Sequence, residues 1–238
     1  MDSKFKVTII TVTRNADKTI GNLFQSIRKF KAPNIEFIIL DGLSTDRTVE
    51  LIKQNEDIID FWKSEKDSGI YEAMNKAIKQ AKGQWLIFMG ADDELMNGFE
   101  EAIPSLKDSK TIYYGKVFFH GLITTGAIKN DYTLTKSNIC HQAIFYPKSV
   151  FQKYKYLEEY IVCADYVLNL TCWHDPEFSF VYLDKLISNY SIGGYSGTVN
   201  DKLFEANKAM LFKKHLNTWA YIRYSWKKIK NNILRRNG

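Results

Sequence analysis

Cysteine, proline and long apolar runs are scarce in this sequence of 238 residues, which has three Cys and four Pro. The cysteines, Cys140, Cys163 and Cys172, are odd in number and show no CxxC spacing. This pattern argues against a disulfide framework and predicts reduced thiols in a cytoplasmic protein. No uncharged apolar stretch approaches roughly 18 residues, and the N-terminus lacks the apolar core of a secretory signal, so neither a membrane span nor secretion is expected.

Acidic residues are absent from the C-terminal segment 206–238, which carries nine Lys and Arg. The whole chain has a formal net charge of +6, so residues 1–205 carry −3. The basic character therefore belongs to the C-terminal segment and not to the body of the protein. Because an acidic body does not suit a nucleic-acid groove, no nucleic-acid partner is expected.

Apolar strands alternate with amphipathic helices over the first 90 residues. β-Branched and apolar runs predict strands at 6–13, 35–40, 58–63 and 85–89. Apolar residues at helical spacing predict a helix in each connection, and Ser44 or Thr45 is expected to cap the second helix. This order predicts an α/β fold with a mostly parallel central sheet flanked by helices. Ligands of such sheets bind at the carboxyl ends of the strands.

The alternation changes after Asp93, where shorter elements of both kinds follow. The predicted elements are strands within 111–126 (two, meeting near Gly121), 178–183 and 187–192, and helices at 147–156, 160–173 and from about residue 200. The loop 193–198 is predicted either to close over a ligand or to be an ordinary surface loop. We expect one domain, 1–205, with halves of about 1–110 and 111–205, followed by a helical tail, 206–238.

Acidic side chains follow three successive predicted strands: Asp41, Asp67, and the pair Asp92 and Asp93. Each of them alone is typical of a turn or a helix cap. Together they are expected to meet in one crevice, where like charges need a cation or hydrogen-bond donors. Oxygen ligands suit Mg²⁺ or Mn²⁺, which bind through one or two carboxylates plus substrate phosphates. Because GxxxxGK[ST] and GxGxxG are both lacking, the cation is expected to hold the phosphates.

Several segments in order resemble the motifs of family-2 inverting glycosyltransferases with the GT-A fold. They are KVTIITVTRN, DGLSTDRT, EKDSGIYEAMNKAIKQAKGQW and the acidic pair in FMGADDEL. Further on, HQAIFYP and CADYVLNL resemble acceptor-side motifs of the branch that builds bacterial surface polysaccharides. The resemblance covers roughly residues 4 to 190. It implies a metal-dependent, inverting transferase of the hexosyltransferase type that uses a nucleotide diphosphate sugar.

The resemblance also implies roles for individual residues. Asp165 matches the catalytic base, Asp93 the direct ligand of Mn²⁺ or Mg²⁺, and His141 and Gln142 match positions that contact diphosphate or acceptor. A structural His and a helix-terminal Asp are the alternatives. The residues expected to bind the nucleotide sugar are Thr11, Thr13, Arg14, Asn15, Asp41, Asp67 and Asp92. Many relatives have a base-stacking Tyr at the position of Arg14, whose guanidinium plane can also stack. The resemblance favours a uridine diphosphate sugar.

The C-terminal segment contains an apolar stripe at steps of three and four residues: Trp219, Ile222, Trp226, Ile229 and Ile233. Lys and Arg occupy the other faces, which is typical of a helix that lies on an anionic membrane. This predicts a peripheral protein at the inner face of the cell membrane and a lipid-linked glycan acceptor. The alternatives are a helix packed on its own domain and a seam with another subunit in a homo-oligomer.

Two other functions remain open at this point. The chain could be a non-catalytic module that binds a nucleotide sugar, although Asp92, Asp93 and Asp165 are all present. It could also be a sugar-phosphate nucleotidyltransferase, for which TVTRNADKTIGN is a poor match to the expected Gly-rich basic loop.

Overall fold

The computed structural model describes residues 4–124, 127–191 and 199–236, except the side chains of residues 232, 233, 235 and 236. The predicted loop at 193–198 and the side chain of Ile233 therefore lie outside the described residues. The three cysteines are free thiols, and Cys172 is buried.

Four parallel strands form the first half of the sheet, as the alternation of elements predicts. They are β1 Val7–Thr13, β2 Ile35–Asp41, β3 Phe61–Ser64 and β4 Trp85–Phe88, in the order β3-β2-β1-β4. The connections contain α1 Ile20–Phe30, α2 Thr48–Gln54 and α3 Ile70–Gln80, which allow parallel pairing. In the register, Thr13 pairs with Asp41 and Asp41 with Ser64, so β1, β2 and β3 end at the same edge.

Both faces of this half are buried, which explains its nearly continuous apolar strands. Ile9 lies in the core on the face that packs against Leu23 of α1, whereas Ile10 lies in the core that includes Ala77 of α3. Successive strand residues point to opposite faces, so most positions are apolar, and the buried Glu36 of β2 is paired with Thr8 of β1 through a side-chain hydrogen bond (2.6 Å). Each fully buried large side chain contributes roughly 1.5–3 kcal/mol to stability.

The second half of the sheet is mixed. Its strands are β5 Glu94–Leu95, β6 Thr111–Phe119, β7 Leu122–Thr124, β8 Ile144–Pro147 and β9 Ser179–Asn189. β8 joins the two halves because it pairs antiparallel with both β4 and β6, while β6 and β9 are parallel. Over the described residues the nine strands thus form one mixed sheet, in which parallel pairing dominates only the first half.

β9 is one strand, whereas the sequence predicted two strands at 178–183 and 187–192. The polar residues Asp184 and Lys185 lie between the two predicted strands. In the structure Asp184 forms an ion pair with Lys116 of β6, and the register of β6 and β9 shifts on both sides of Lys116. The polar pair therefore marks an irregularity within a continuous strand and not a turn.

Two helices begin later than predicted. Ser44 and Thr45 do not cap α2, which begins at Thr48; the main-chain N of Thr48 donates to Asp46 Oδ1 (2.9 Å). The helix predicted at 160–173 is α7, Ala164–His174. The residues just before it form a turn, in which the main-chain N of Cys163 donates to Asp201 Oδ2 (3.2 Å).

The remaining helices follow β4 in the chain. They are α4 Asn97–Ala102, α5 Asp131–Leu134, α6 Lys148–Lys153, α8 Lys202–His215 and α9 Thr218–Arg236. α4 packs on β9, and α6 packs on β8. α8 crosses residue 205, and its Phe212 lies in the same core as Ile10. The division between domain and tail stays a prediction. Among the helices described, none combines the length and apolarity needed to cross a membrane.

α9 has an inner and an outer face. Ala220 is buried on the inner face, and Tyr221 and Tyr224 pack against the core. Four residues of the predicted stripe are exposed on the outer face, so they are not covered by the domain. The exposed residues are Trp219, Ile222, Trp226 and Ile229.

Candidate functional site

Hydrogen bonds join the loops that follow β1 and β2. The main-chain N of Asn15 donates to Ser44 Oγ (2.8 Å), and Asn15 Oδ1 accepts from the main-chain N of Thr45 (2.8 Å). Asn15 has a φ of 53°, in the left-handed region that Asn tolerates better than most residues. These bonds hold Asn15 and the exposed Arg14 at the edge of the sheet where β2 ends.

Two hydroxyl groups of β1 are buried and unpaired. Thr11 Oγ1 and Thr13 Oγ1 have no hydrogen-bond partner among the described residues. A buried hydroxyl without a partner is unfavourable, so such groups usually meet a ligand or an ordered water. Both residues belong to the predicted nucleotide-sugar site, and Thr13 pairs with Asp41 in the sheet.

Asp41 is the last residue of β2, and serine side chains surround its buried carboxylate. Asp41 Oδ2 accepts from the main-chain N of Ser44 (3.0 Å) and from Ser64 Oγ (2.6 Å), and Oδ1 accepts from Ser44 Oγ. These donors offset the cost of burying the charge. They also fix the orientation of a carboxylate that the sequence predicts at the nucleotide base.

Asp67 lies against Gly42, the residue after Asp41. A Cβ atom on Gly42 would lie 2.5 Å from Asp67 Oδ2, so only glycine leaves room for this approach. Asp67 Oδ1 accepts from the main-chain N of Gly69 (3.0 Å) at the start of α3. Burial raises the pKa of Asp67, and the positive charge of Arg14 opposes this shift. Asp41 and Asp67 therefore meet at one edge, as the sequence predicts.

Asp92 and Asp93 follow β4 but differ in burial. Asp93 is 1% exposed, and its two oxygens accept from the main-chain N of Gly90 (2.9 Å) and of Ser191 (3.0 Å). Burial raises the pKa of Asp93 to about 6, and the charge of Asp92 adds to the shift. Asp92 is partly exposed. This geometry leaves Asp92 more accessible than Asp93, the residue that the sequence analysis predicts as the direct metal ligand.

The acidic pair fits a divalent cation that is shared with a phosphate. A Cβ atom on Gly90 would lie 2.7 Å from both Asp92 Oδ1 and Asp93 Oδ2, so the two carboxylates converge over this glycine. No group of three or more His, Cys, Asp or Glu side chains in the described part of the chain could hold a metal ion by itself. Mg²⁺ and Mn²⁺ commonly combine one or two protein carboxylates with substrate oxygens, so a diphosphate could complete this ligand set.

Asp165 lies in the first turn of α7, where it is buried. Its Oδ1 accepts from the hydroxyl of Tyr71 (3.0 Å), and its Oδ2 accepts from Asn138 Nδ2 (2.6 Å). Burial raises the pKa of Asp165, whereas His141 and these hydrogen bonds oppose the shift. His141 Nδ1 lies 3.9 Å from Asp165 Oδ2. The carboxylate is thus held by side chains from two other parts of the chain.

Segment 138–142 lies between Asp165 and the acidic pair. His141 packs edge-on against the ring of Phe88, with ring centroids 5.5 Å apart, and burial lowers its pKa. Gln142 Oε1 accepts from Cys140 Sγ (2.9 Å), and the Gln142 side chain opposes the rise in the pKa of Asp93. The segment therefore contacts Asp165 through Asn138 and lies near Asp93 at its other end.

Several residues that shape the site were missed by the sequence reasoning. They are Ser44 and Ser64 around Asp41, and Tyr71 and Asn138 around Asp165. Tyr71 lies four residues after Asp67, and Asn138 lies three residues before His141. Their positions close to predicted site residues were the sequence signal that could have identified them. Neither residue type indicates by itself that it binds a carboxylate.

Comparisons with known proteins identify related sequences. The model of the family described as glycosyl transferase family 2 matches residues 8–165. The chain is 32% identical over 210 residues to a PGL/p-HBAD biosynthesis glycosyltransferase of Mycobacterium bovis, covering 83% of this chain and 81% of the relative. It is also 30% identical over 93 residues to TarS of Staphylococcus aureus, a poly(ribitol-phosphate) β-N-acetylglucosaminyltransferase, covering 37% of this chain and 16% of TarS.

Solved structures share the fold, a GT-A-like α/β architecture. TarS residues 1–349 in complex with UDP superpose with a TM-score of 0.64 at 20% identity, covering 90% of this chain and 71% of that one. The mannosyltransferase PcManGT of Pyrobaculum calidifontis, in complex with GDP-Man and Mn²⁺, gives a TM-score of 0.62 at 14% identity, covering 88% and 62%. On the family match and the extent of the mycobacterial similarity, the chain belongs to glycosyl transferase family 2.

Proposed function

We propose that this protein transfers a sugar, with inversion, from a uridine diphosphate sugar to a hydroxyl group of a cell-surface glycan. The observation that carries the proposal is that segment 138–142 contacts Asp165 through Asn138, while Gln142 at its other end lies near Asp93 and affects the pKa of that carboxyl. Sugar transfer needs a base for the acceptor beside a site for the departing diphosphate. The printed names of the mycobacterial relative and of TarS support a glycan or glycolipid acceptor.

The donor occupies the carboxyl edge of the parallel strands in this proposal. The unpaired hydroxyls of Thr11 and Thr13 and the oriented carboxylate of Asp41 supply polar contacts there. The Arg14 guanidinium can stack on the base. TarS in complex with UDP supports a uridine nucleotide. The remaining donor contacts are assigned to Asn15 and Asp67.

The structure changes the proposed roles of the acidic pair. We assign the cation to Asp92, because it is more accessible, and a supporting role to Asp93, which holds the loop through the main-chain N of Gly90 and of Ser191. Mn²⁺ or Mg²⁺ bound here would neutralise the charge that develops on the departing diphosphate. The Mn²⁺ complex of PcManGT supports the use of a divalent cation.

Asp165 acts as the base in this mechanism. The acceptor oxygen forms a bond with the anomeric carbon as the bond from that carbon to the diphosphate oxygen breaks, and the hydroxyl proton passes to Asp165. Attack from the face opposite the leaving group inverts the anomeric configuration. Burial raises the pKa of Asp165, so it is a stronger base than an exposed carboxylate. His141 and Gln142, between the two ends of the site, are placed to contact the acceptor or the diphosphate.

The Asp165→Asn variant tests this assignment. Release of UDP and formation of glycoside are measured with a panel of UDP, GDP, CMP and dTDP sugars, with and without Mn²⁺, and a glycan acceptor. The variant should lose about 10²- to 10⁴-fold in kcat, the usual contribution of a general base. Asp184→Asn, which changes an exposed Asp, is the control. Near-full turnover by Asp165→Asn would remove Asp165 from the mechanism.

The same assay separates the two alternative functions. Binding of a nucleotide sugar without any turnover indicates a non-catalytic module. Formation of a nucleotide sugar from a nucleoside triphosphate and a sugar phosphate indicates a nucleotidyltransferase. Inversion is read from the anomeric configuration of the product.

We also propose that α9 docks the protein on the inner face of the cell membrane, where a lipid-linked acceptor would be presented. Four apolar side chains of the outer face are exposed, and the helix carries basic residues but no acidic ones. Each Lys or Arg near an anionic surface contributes roughly 1 kcal/mol to binding. α9 is also anchored on α5, because Arg223 lies over the ring of Tyr132 at 4.1 Å.

Vesicle binding tests the docking face. Trp226→Ser removes a side chain that is 71% exposed, and Met210→Ser on α8 removes one that is 57% exposed. Only Trp226→Ser should weaken binding to anionic vesicles, by about tenfold or more, because a buried large apolar side chain contributes roughly 1.5–3 kcal/mol. Equal binding by both variants rejects membrane docking. Loss of self-association instead indicates a subunit interface in a homo-oligomer.

A further inference from the structure

A directional chain of hydrogen bonds ends on the carboxylate of Asp165. The hydroxyl of Tyr146 donates to Asn169 Oδ1 (2.7 Å), Asn169 Nδ2 donates to Asn138 Oδ1 (2.8 Å), and Asn138 Nδ2 donates to Asp165 Oδ2 (2.6 Å). The orientation of each amide follows from this network, because Asn138 Oδ1 already accepts and its NH₂ group must face Asp165. Asp165 is therefore an acceptor at the end of the chain.

The other oxygen of Asp165 has its own donor. The hydroxyl of Tyr71 lies 3.0 Å from Asp165 Oδ1, and Tyr71 is buried in the first turn of α3. This turn is fixed at its start, since Asp67 Oδ1 accepts from the main-chain N of Gly69 and Glu72 Oε2 accepts from the main-chain N of Ser68 (2.6 Å). Tyr71 thus connects the donor-side turn to the acceptor-side carboxylate.

Among the described residues that face Asp165, only His141 can carry a positive charge, and burial lowers its pKa. The titratable groups that face it are Tyr71, Cys140, His141, Tyr146, Tyr156, Cys163 and Tyr166. Burial raises the pKa of the tyrosines and cysteines and lowers the pKa of His141, so all seven are neutral at pH 7. Neutral donors then oppose the effect of burial on the carboxylate.

We propose that Tyr71 and Asn138 are positioning residues that keep Asp165 ionised and in one orientation, so that it can accept the acceptor proton. The inference rests on the proposed role of Asp165 as the base. Both donors favour the carboxylate over the carboxylic acid, because a protonated carboxyl oxygen is a much weaker acceptor for the donor that faces it. Hydrogen bonds to a charged group are stronger than those between neutral groups, so each donor has a measurable effect.

Tyr71→Phe is the test variant, and Tyr156→Phe is its matched control. The two rings are in contact, with centroids 5.2 Å apart, and both hydroxyls are buried, but Tyr156 Oη has no hydrogen-bond partner among the described residues. Loss of the Tyr71 donor should move the acidic limb of the pH profile of kcat/KM to higher pH by about one unit. Activity on the alkaline side should change little. Tyr156→Phe should leave the limb where it is in the parent protein.

A stability measurement gives a second readout that needs no activity. A double-mutant cycle combines Tyr71→Phe with Asp165→Asn, and the unfolding free energy is measured at pH 8, where the carboxylate is ionised. Coupling between Tyr71 and Asp165, and none between Tyr156 and Asp165, supports the proposal. If the parent protein transfers no sugar but the coupling is present, the proposed function fails while the positioning contact stands. An unshifted acidic limb, or coupling equal to that of Tyr156, overturns the proposal.

Discussion

Asp93 should make the stability of the metal-free protein depend on pH. Burial raises its pKa from 3.8 to about 6, so the native state binds the proton more tightly than the unfolded chain does. The stability that protonation provides is therefore complete below about pH 3.8 and is lost as the pH rises through about 6. One pKa unit corresponds to about 1.4 kcal/mol, so the full loss amounts to about 3 kcal/mol, of which about 2.4 kcal/mol falls between about pH 4 and pH 7.

The Asp93→Asn variant isolates this effect, because an amide does not titrate in this range. Urea unfolding in EDTA over that pH range gives the free energy of unfolding of both proteins, and the difference between them cancels the groups that they share. The variant should gain about 2.4 kcal/mol relative to the parent as the pH rises from about 4 to about 7. Asp92→Asn should retain this pH dependence with a smaller amplitude, because the charge of Asp92 contributes less to the raised pKa of Asp93 than burial does. A difference for Asp93→Asn that is flat within about 0.5 kcal/mol would refute the raised pKa.

Three glycine substitutions test the close approaches in the fold. Gly42→Ala should displace Asp67 and weaken UDP binding in calorimetry by about tenfold, a loss of about 1.4 kcal/mol, while the melting temperature changes little, because the obstructed atom is the end of a side chain. Gly21→Ala in α1, where a Cβ atom meets nothing within 4 Å, should leave UDP binding unchanged and add up to about 1 kcal/mol to stability. Gly98→Ala should lower the free energy of unfolding by about 1–3 kcal/mol, because its Cβ atom would overlap the main chain of Leu186. Urea denaturation that shows no loss for Gly98→Ala would contradict the packing of α4 on β9.

The sequence was most informative where a strand is buried on both faces. β1, β2 and β4 were predicted to within one residue at each end, because nearly all of their positions are apolar or β-branched. β3 lies at the edge of the sheet and was predicted at 58–63, but it is Phe61–Ser64. Ile58 is buried in a turn, where its main-chain N donates to the carbonyl of Asn55 (3.1 Å). The apolar residue Ile58 therefore indicates burial, but it does not indicate that this part of the chain pairs in the sheet.

Carboxylates at the site were predictable, but their partners were not. An Asp that directly follows an apolar strand is visible in the local sequence. Some partners are local, such as Ser44 beside Asp41, but others come from far along the chain: Ser64 is 23 residues from Asp41, and Tyr71 is 94 residues from Asp165. Local pattern carries no information on such contacts. For the same reason the sequence could not show that Asp93 is enclosed while Asp92 stays accessible.

One strand pairing explains why the two halves of the site meet. β8 runs antiparallel to β4, with Trp85 opposite Pro147 and Leu86 opposite Tyr146. Residues that precede β8 therefore lie at the same edge of the sheet as residues that follow β4. This places His141 and Gln142 beside the acidic pair, although about 50 residues separate them in the chain. Had β8 been parallel to β4, as the alternation in the first half would suggest, the same motifs would lie at opposite edges of the sheet and could not form a single site.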